Sequence, residues 1–280
     1  MKPSAEALVA SQTSERTLPQ TARLLDIMQA LRDPQTGCPW DLNQTMETLI
    51  PYTIEETYEV ADAITRGGRE EIKDELGDLL FQVVFYAQLA REQGDFSFDE
   101  VAGAIADKLV RRHPHVFGDG QADTPEAVLR QWEQIKQQER ANKPDDHSVF
   151  SGVPVNLPAL MQAQKIQKRC ANVGFDWPDA EPVLAKIREE VAEVEDALSQ
   201  TSVNAEAVEE EVGDLLFAVV NLARHCQVNP ETALRKANQK FMRRFRAVEQ
   251  TAQQQGVGVE ALDLNALEVL WQSVKRTEKT

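Results

Sequence analysis

Cysteine is scarce in this chain: Cys38, Cys170 and Cys226 are the only three among 280 residues. They are too few and too scattered for a disulfide framework or a thiolate metal site, so buried or idle thiols are expected. Long apolar runs are missing as well. Runs such as Leu79-Leu80-Phe81 and Val83-Val84-Phe85 are far below the roughly 20 residues a membrane span needs, which excludes a transmembrane helix. Segment 1–20 is rich in Ser, Thr, Glu and Gln and has no apolar signal-peptide core. It is expected to be a flexible tail, and the compartment the cytoplasm. A basic excess is also lacking: 46 acidic against 30 basic residues give a net charge of −16. That balance argues against direct nucleic-acid binding. Finally, alternating β-branched stretches are nearly absent and apolar residues recur at helical spacing, so the fold class expected is all-α.

What is present is a repeated order of motifs. Met28-Gln29-Ala30 matches Met161-Gln162-Ala163, and Trp40-Asp41 matches Phe175-Asp176. Gly77-Asp78-Leu79-Leu80-Phe81-x-Val83-Val84 then matches Gly213-Asp214-Leu215-Leu216-Phe217-x-Val219-Val220. Lys108-x-x-Arg111-Arg112 and Trp132 answer to Lys240-x-x-Arg243-Arg244 and Trp271. A period of about 135 residues means duplicated domains rather than a solenoid. The organisation expected is a tail over 1–20, a domain over 21–140, a Pro-rich polar linker over 141–157, and a second domain over 158–280. Each domain reads as a four-to-five-helix unit.

Both halves carry one acidic signature, Glu55-Glu56-x-x-Glu59 with Glu75-x-x-Asp78, and Glu189-Glu190-x-x-Glu193 with Glu211-x-x-Asp214. Residues three or four apart share a helix face. Thr65-Arg66-Gly67-Gly68 in one half and Ser199 to Asn204 in the other break the pattern midway, so a helical hairpin is expected to bring the acidic pairs level. Lys partners at helical offsets are taken to be missing. Two carboxylates about 4 Å apart repel by roughly 4 kcal/mol at an effective dielectric near 20. Facing pairs of them therefore need cations. With oxygen donors only and no Glu-x-x-His pair, Mg²⁺ is expected, with Mn²⁺ as the substitute. Ions so held favour a polyphosphate substrate.

Further along, Lys236, Lys240 and Arg243 or Arg244 fall on one helical face and offer cations to phosphate. Asn221, seven residues after Asp214, shares the face of the acidic pair and is a candidate for a base or sugar edge. Trp132 and Trp271 are core aromatics by default, with stacking on a nucleobase as the functional reading of Trp271. Much of the helix after each second acidic pair is apolar (Leu76, Leu79, Leu80, Val83, Val84), so pairing is expected, between the repeats or between two chains. Close backbone approach is the reason expected for Gly77 and Gly213.

The tandem acidic pattern, together with Lys168-Arg169-Cys170-Ala171-Asn172-Val173-Gly174-Phe175-Asp176-Trp177 and Lys240-Phe241-Met242-Arg243-Arg244-Phe245, resembles the MazG family of nucleoside triphosphate pyrophosphohydrolases. The resemblance spans residues 20 to 278 or so. It implies two tandem MazG-like all-α domains, a homodimer, and Mg²⁺-dependent hydrolysis of NTPs and dNTPs to the monophosphate and pyrophosphate. Carried over by motif, the metal ligands are Glu190, Glu193, Glu211 and Asp214, and in the first repeat Glu56, Glu59, Glu75 and Asp78. Lys186, Lys240, Arg243, Arg244 and Trp271 are carried over as nucleotide contacts. Apart from the resemblance, a nearby carboxylate such as Glu189 or Glu193 is expected to assist the attacking water.

The repeats differ on the substrate side. Where the second has Lys236 and Asn238, the first has Ala104 and Ala106, and its basic run continues into His113-Pro114-His115, which should end the helix. Activity is therefore expected in residues 158–280. The alternatives are a pyrophosphatase narrow for dUTP, dCTP or a phosphoribosyl nucleotide, and a nucleotide-sensing or interaction protein without turnover.

Overall fold

A computed structural model of the chain describes residues 18–141 and 148–278. Most of the expected tail over 1–20, and residues 142–147 of the expected linker, lie outside the described residues. From 148 to 158 the backbone forms turns without helix. The chain divides into two compact units, Met1–Asn142 and Lys143–Thr280. Regular structure among the described residues is entirely helical, without a strand.

The first unit runs α1 (Pro19–Leu31), α2 (Pro39–Leu42), α3 (Met46–Arg66), α4 (Arg69–Gln93), α5 (Phe98–Arg112), α6 (Pro114–Phe117) and α7 (Pro125–Ala141). Thr45 starts α3 with a reciprocal cap: Thr48 N donates to Thr45 Oγ1 at 3.3 Å, and Thr45 N donates to Thr48 Oγ1 at 2.8 Å. Two first-turn donors are thereby satisfied. Gly67 ends α3 at φ +85°, a left-handed conformation that costs a residue with a Cβ, and the chain turns straight into α4. Pro114 closes α5, as its sequence position implies.

Met28 from α1, Leu49 from α3 and Val84, Phe85 and Leu89 from α4 make the core of this unit. Side chains so buried contribute about 1.5–3 kcal/mol each. Thr53 Oγ1 and Tyr86 OH lie 2.9 Å apart and tie α3 to α4.

The second unit repeats the plan with α8 (Ala159–Ala171), α9 (Ala180–Ser199), α10 (Ala205–His225), α11 (Pro230–Gln254) and α12 (Leu264–Thr277), a single 3₁₀ turn (Val259–Ala261) preceding α12. Asn204 replaces the glycine turn as the punctuating residue. Its side chain accepts from Glu206 N at 3.1 Å and caps α10. The main apolar cluster of this unit has moved to the α11–α12 seam, where Val248, Ala252 and Leu270 pack with Leu267, Trp271 and Val274.

Two apolar stripes remain uncovered at matching positions. Leu76, Leu80 and Val83 on α4 are exposed, and so are Val212, Leu216 and Val219 on α10. The close approach expected at Gly77 and Gly213 is not made within the chain, because a Cβ at either would meet nothing within 4 Å. The glycines lie beside the exposed stripes, and no neighbouring backbone in their own unit accounts for them.

Candidate active site

The hairpins bring the acidic pairs together, with three oxygens in each unit rather than four. In the first, Glu56, Glu75 and Asp78 each present an oxygen within 4.8 Å of the others; in the second, Glu190, Glu193 and Glu211 do so. Glu59 and Asp214 lie outside the trios and are exposed. Asp214 lines the adjoining cavity instead. Glu59 still contributes to the field that pushes the Glu75 carboxyl up, after desolvation, the larger cause.

Burial distinguishes the members of the second trio. Glu190 is 4% exposed, and its Oε2 has no hydrogen-bond partner. Glu56 has an equally orphaned buried Oε2 in the first unit. An unpaired buried carboxylate oxygen is costly, and three convergent oxygen donors suit a hard divalent ion such as Mg²⁺. The residues present fit that group. Desolvation and a hydrogen bond with Glu190 raise the Glu193 carboxyl above its ordinary range, and desolvation followed by repulsion from Asp78 does the same for Glu56.

One expectation needs correcting here. Lys186 does stand one turn before Glu189 and Glu190, with Nζ at 2.8 Å from Glu189 and 2.7 Å from Glu190. These two carboxylates hold its ammonium well above the usual lysine range. The sequence shows this offset plainly, three and four residues, which the emphasis on acidic pairs passed over.

Beside the trio opens a cavity of about 540 Å³, lined by Gln167 and Cys170 of α8, Phe175, Asp176 and Trp177 of the following loop, Val183, Lys186 and Glu190 of α9, and Asp214, Phe217, Ala218, Asn221 and Arg224 of α10. Glu190, Asp214 and Lys186 therefore lie on the cavity wall, and Glu193 and Glu211 do not line it. Asp176 anchors the far side: it receives Arg224 Nη1 at 2.8 Å and a second bond from Arg224 Nη2. His225 Nε2 lies 3.2 Å away. The guanidinium holds the Asp176 carboxyl below its ordinary range.

The basic helix and Trp271 do not line this cavity. Lys236 and Lys240 are exposed on α11. Arg243 Nη2 and Arg244 Nε pair with Glu278 at 3.2 and 2.7 Å. Trp271 belongs to the α11–α12 cluster, with the Phe241 ring 5.1 Å away and the Arg244 guanidinium 6.0 Å from its centroid. The first unit duplicates the clamp, Glu139 accepting from Arg111 at 2.9 Å and Arg112 at 2.5 Å. This paired-arginine clamp, seven residues after each Trp, was missed from sequence although both glutamates recur at the same offset.

These features define an all-α protein built on a duplicated acidic helical hairpin. The family model described as the MazG nucleotide pyrophosphohydrolase domain matches residues 44–117 and 179–249. The chain is 57% identical over 259 residues to the Escherichia coli K12 protein named nucleoside triphosphate pyrophosphohydrolase, covering 92% of this chain and 98% of that one. A Thermotoga maritima protein named nucleoside triphosphate pyrophosphohydrolase/pyrophosphatase MazG is 44% identical over 257 residues, 92% of this chain and 96% of its own length. Bacillus subtilis YabN is 42% identical over 253 residues, which are 90% of this chain and 51% of that protein. The chain belongs to the MazG nucleotide pyrophosphohydrolase family.

Proposed function

We propose that this chain is a nucleoside triphosphate pyrophosphohydrolase that cuts between the α- and β-phosphates, releasing monophosphate and pyrophosphate. The relatives' names support the activity. The observation that carries its placement is the second unit's trio, Glu190, Glu193 and Glu211, whose buried member Glu190 lines a cavity of about 540 Å³ together with Asp214 and Lys186. Mg²⁺ or Mn²⁺ is the cofactor in this reading, held by the trio with Asp214 completing the set. When bound, the ion neutralises phosphate oxygens and polarises the phosphoryl group under attack.

The protein's own groups do the rest. Lys186, already fixed between Glu189 and Glu190, lines the cavity and presents positive charge to the phosphates that meet the acidic trio. A carboxylate of the same segment, Glu189 or Glu193, takes the proton from the attacking water. Glu189 is exposed, stands outside the trio and accepts from the Lys186 ammonium at 2.8 Å. Lys240, Arg243 and Arg244 meet the departing pyrophosphate, the two arginines exchanging Glu278 for phosphate oxygens. Base specificity is broad, the protein works as a homodimer through its exposed apolar stripes, and its compartment is the cytoplasm.

In the first unit the acidic trio remains, but Phe85 fills the position that Asn221 holds in the second, and it is fully buried. That unit is structural or regulatory in this reading. Product analysis tests the proposal: each NTP incubated with Mg²⁺ is expected to yield monophosphate and pyrophosphate in equal amounts. Diphosphate plus phosphate, or no turnover, contradicts it.

A further inference from the structure

The cavity of the second unit contains a polar arrangement that the hydrolytic chemistry does not use. Asn221 is 7% exposed. Its Oδ1 accepts from Arg224 Nε at 3.1 Å and from Arg224 Nη2 at 2.7 Å. A guanidinium carries donors only, so chemistry alone fixes the orientation of this carboxamide. Oδ1 must face the arginine and the NH₂ must face away. That NH₂ makes no hydrogen bond to any described residue.

Arg224 is itself immobilised, because Asp176 grips it through both carboxylate oxygens. The order is therefore Asp176, Arg224, Asn221, each fixing the next. Gln167, one helix away, is fixed by the same logic. Its Nε2 donates to the Phe217 carbonyl at 2.8 Å, and its Oε1 is buried without a partner. Gln167 and Asn221 both line the cavity, so an unpaired acceptor and an unpaired donor belong to residues of the same wall. Phe175 and Trp177 on the rim are 80% and 42% exposed, their aromatic faces free.

Resting on the reading of this site as a nucleotide pyrophosphohydrolase centre, we propose that this cavity receives the nucleobase and that the Asn221 NH₂ reads its edge. Asp176 and Arg224 are positioning residues that keep the amide from flipping. Every nucleobase carries an acceptor on its edge, a ring nitrogen or a carbonyl oxygen, so one amide donor accepts all of them. An aromatic rim is likewise indifferent to base identity. The pairing explains how a built polar pocket and broad base use coexist. In the first unit Phe85 aligns with Asn221 and Gln88 with Arg224, and Phe85 is fully buried in the core there. The reader is thus a property of the second unit.

Binding of non-hydrolysable α,β-methylene nucleoside triphosphates and of pyrophosphate, measured by calorimetry with Mg²⁺, tests this. Asn221→Asp keeps an acceptor for Arg224 but turns the NH₂ donor into a charged acceptor; Asn221→Leu removes the donor at similar volume without adding charge. Both are expected to weaken all four nucleotide analogues about tenfold, the scale of one lost hydrogen bond, while pyrophosphate affinity is unchanged. Arg224→Met, which releases the amide, should do the same, and Arg224→Lys should recover part of the loss. Unchanged analogue affinity in the Asn221 variants, or nucleotide and pyrophosphate affinities falling together, overturns the proposal. A wild-type protein that forms no monophosphate would instead sink the hydrolase reading and leave the binding data to judge the cavity.

Discussion

Glu190 joins three roles in one side chain. It is almost fully buried, it shares Lys186 with Glu189, and its second oxygen is left for a ligand. Glu56 has similar isolation in the first unit, where Phe85, fully buried, stands at the position of Asn221. Glu190→Ala is therefore expected to lower pyrophosphate release roughly a hundredfold or more, and Glu56→Ala to leave most of it. Steady-state assays of both variants decide this, and the reverse pattern would place turnover in the first unit. Another residue-scale test concerns acid stability. The Arg112 hydrogen bond, with Arg111 adding to it, draws the Glu139 carboxyl down to about 2 from 4.5. A lowered folded-state value means the stabilisation is present above the unfolded value and lost as pH falls through the folded one. The melting temperature of Glu139→Gln should fall below wild type at neutral pH, and the gap should close as pH drops from about 4.5 toward 2.

Among the elements, the hairpins govern the site, and their turns are built differently. Gly67 sits at φ +85° with open space around it, so Gly67→Ala introduces backbone strain alone, on the order of 1 kcal/mol. Thermal unfolding should register a loss of a few degrees while turnover persists, because this hairpin belongs to the first unit. An equal loss of activity would show that the first trio takes part in turnover. The hairpins, their breakers and their acidic pairs were legible because helical spacing and glycine punctuation are local signals. Which oxygens converge was not, since helix phase decides whether Asp78 or Glu59 joins a trio, and sequence spacing cannot fix phase to that accuracy. The Asp176–Arg224 pair spans 48 residues, and no periodicity announces such a contact. Asn221 was visible in sequence as a polar residue on the acidic face, but the arginine that sets its amide was not. The offset of Lys186 from Glu189 and Glu190 was legible, and the reading that lysine partners are missing overlooked it.

For the whole molecule, duplication has produced two units with one plan and different interiors. One places Met28, Leu49 and Phe85 where its helices meet; the other leaves a cavity there and packs its apolar side chains along α11 and α12. The matching stripes of Leu76, Leu80 and Val83 and of Val212, Leu216 and Val219 are the surfaces expected to close a homodimer. Analytical ultracentrifugation should give twice the chain mass, and Leu216→Glu with Val219→Glu should lower it toward the monomer. A monomeric wild type would leave the stripes and both glycines without an explanation. No helix among the described residues is long and apolar enough to cross a membrane, so these stripes do not form a membrane-spanning helix.

Convergent carboxylates of the second hairpin are expected to hold a divalent ion. Titration of Mn²⁺ followed by electron paramagnetic resonance tests it most directly, comparing the Glu56→Gln/Glu75→Gln/Asp78→Asn protein with that protein further changed by Glu190→Gln, Glu193→Gln and Glu211→Gln. Saturable Mn²⁺ binding in the first and its loss in the second is the predicted result. Equal binding by the two would mean that the ion is held elsewhere.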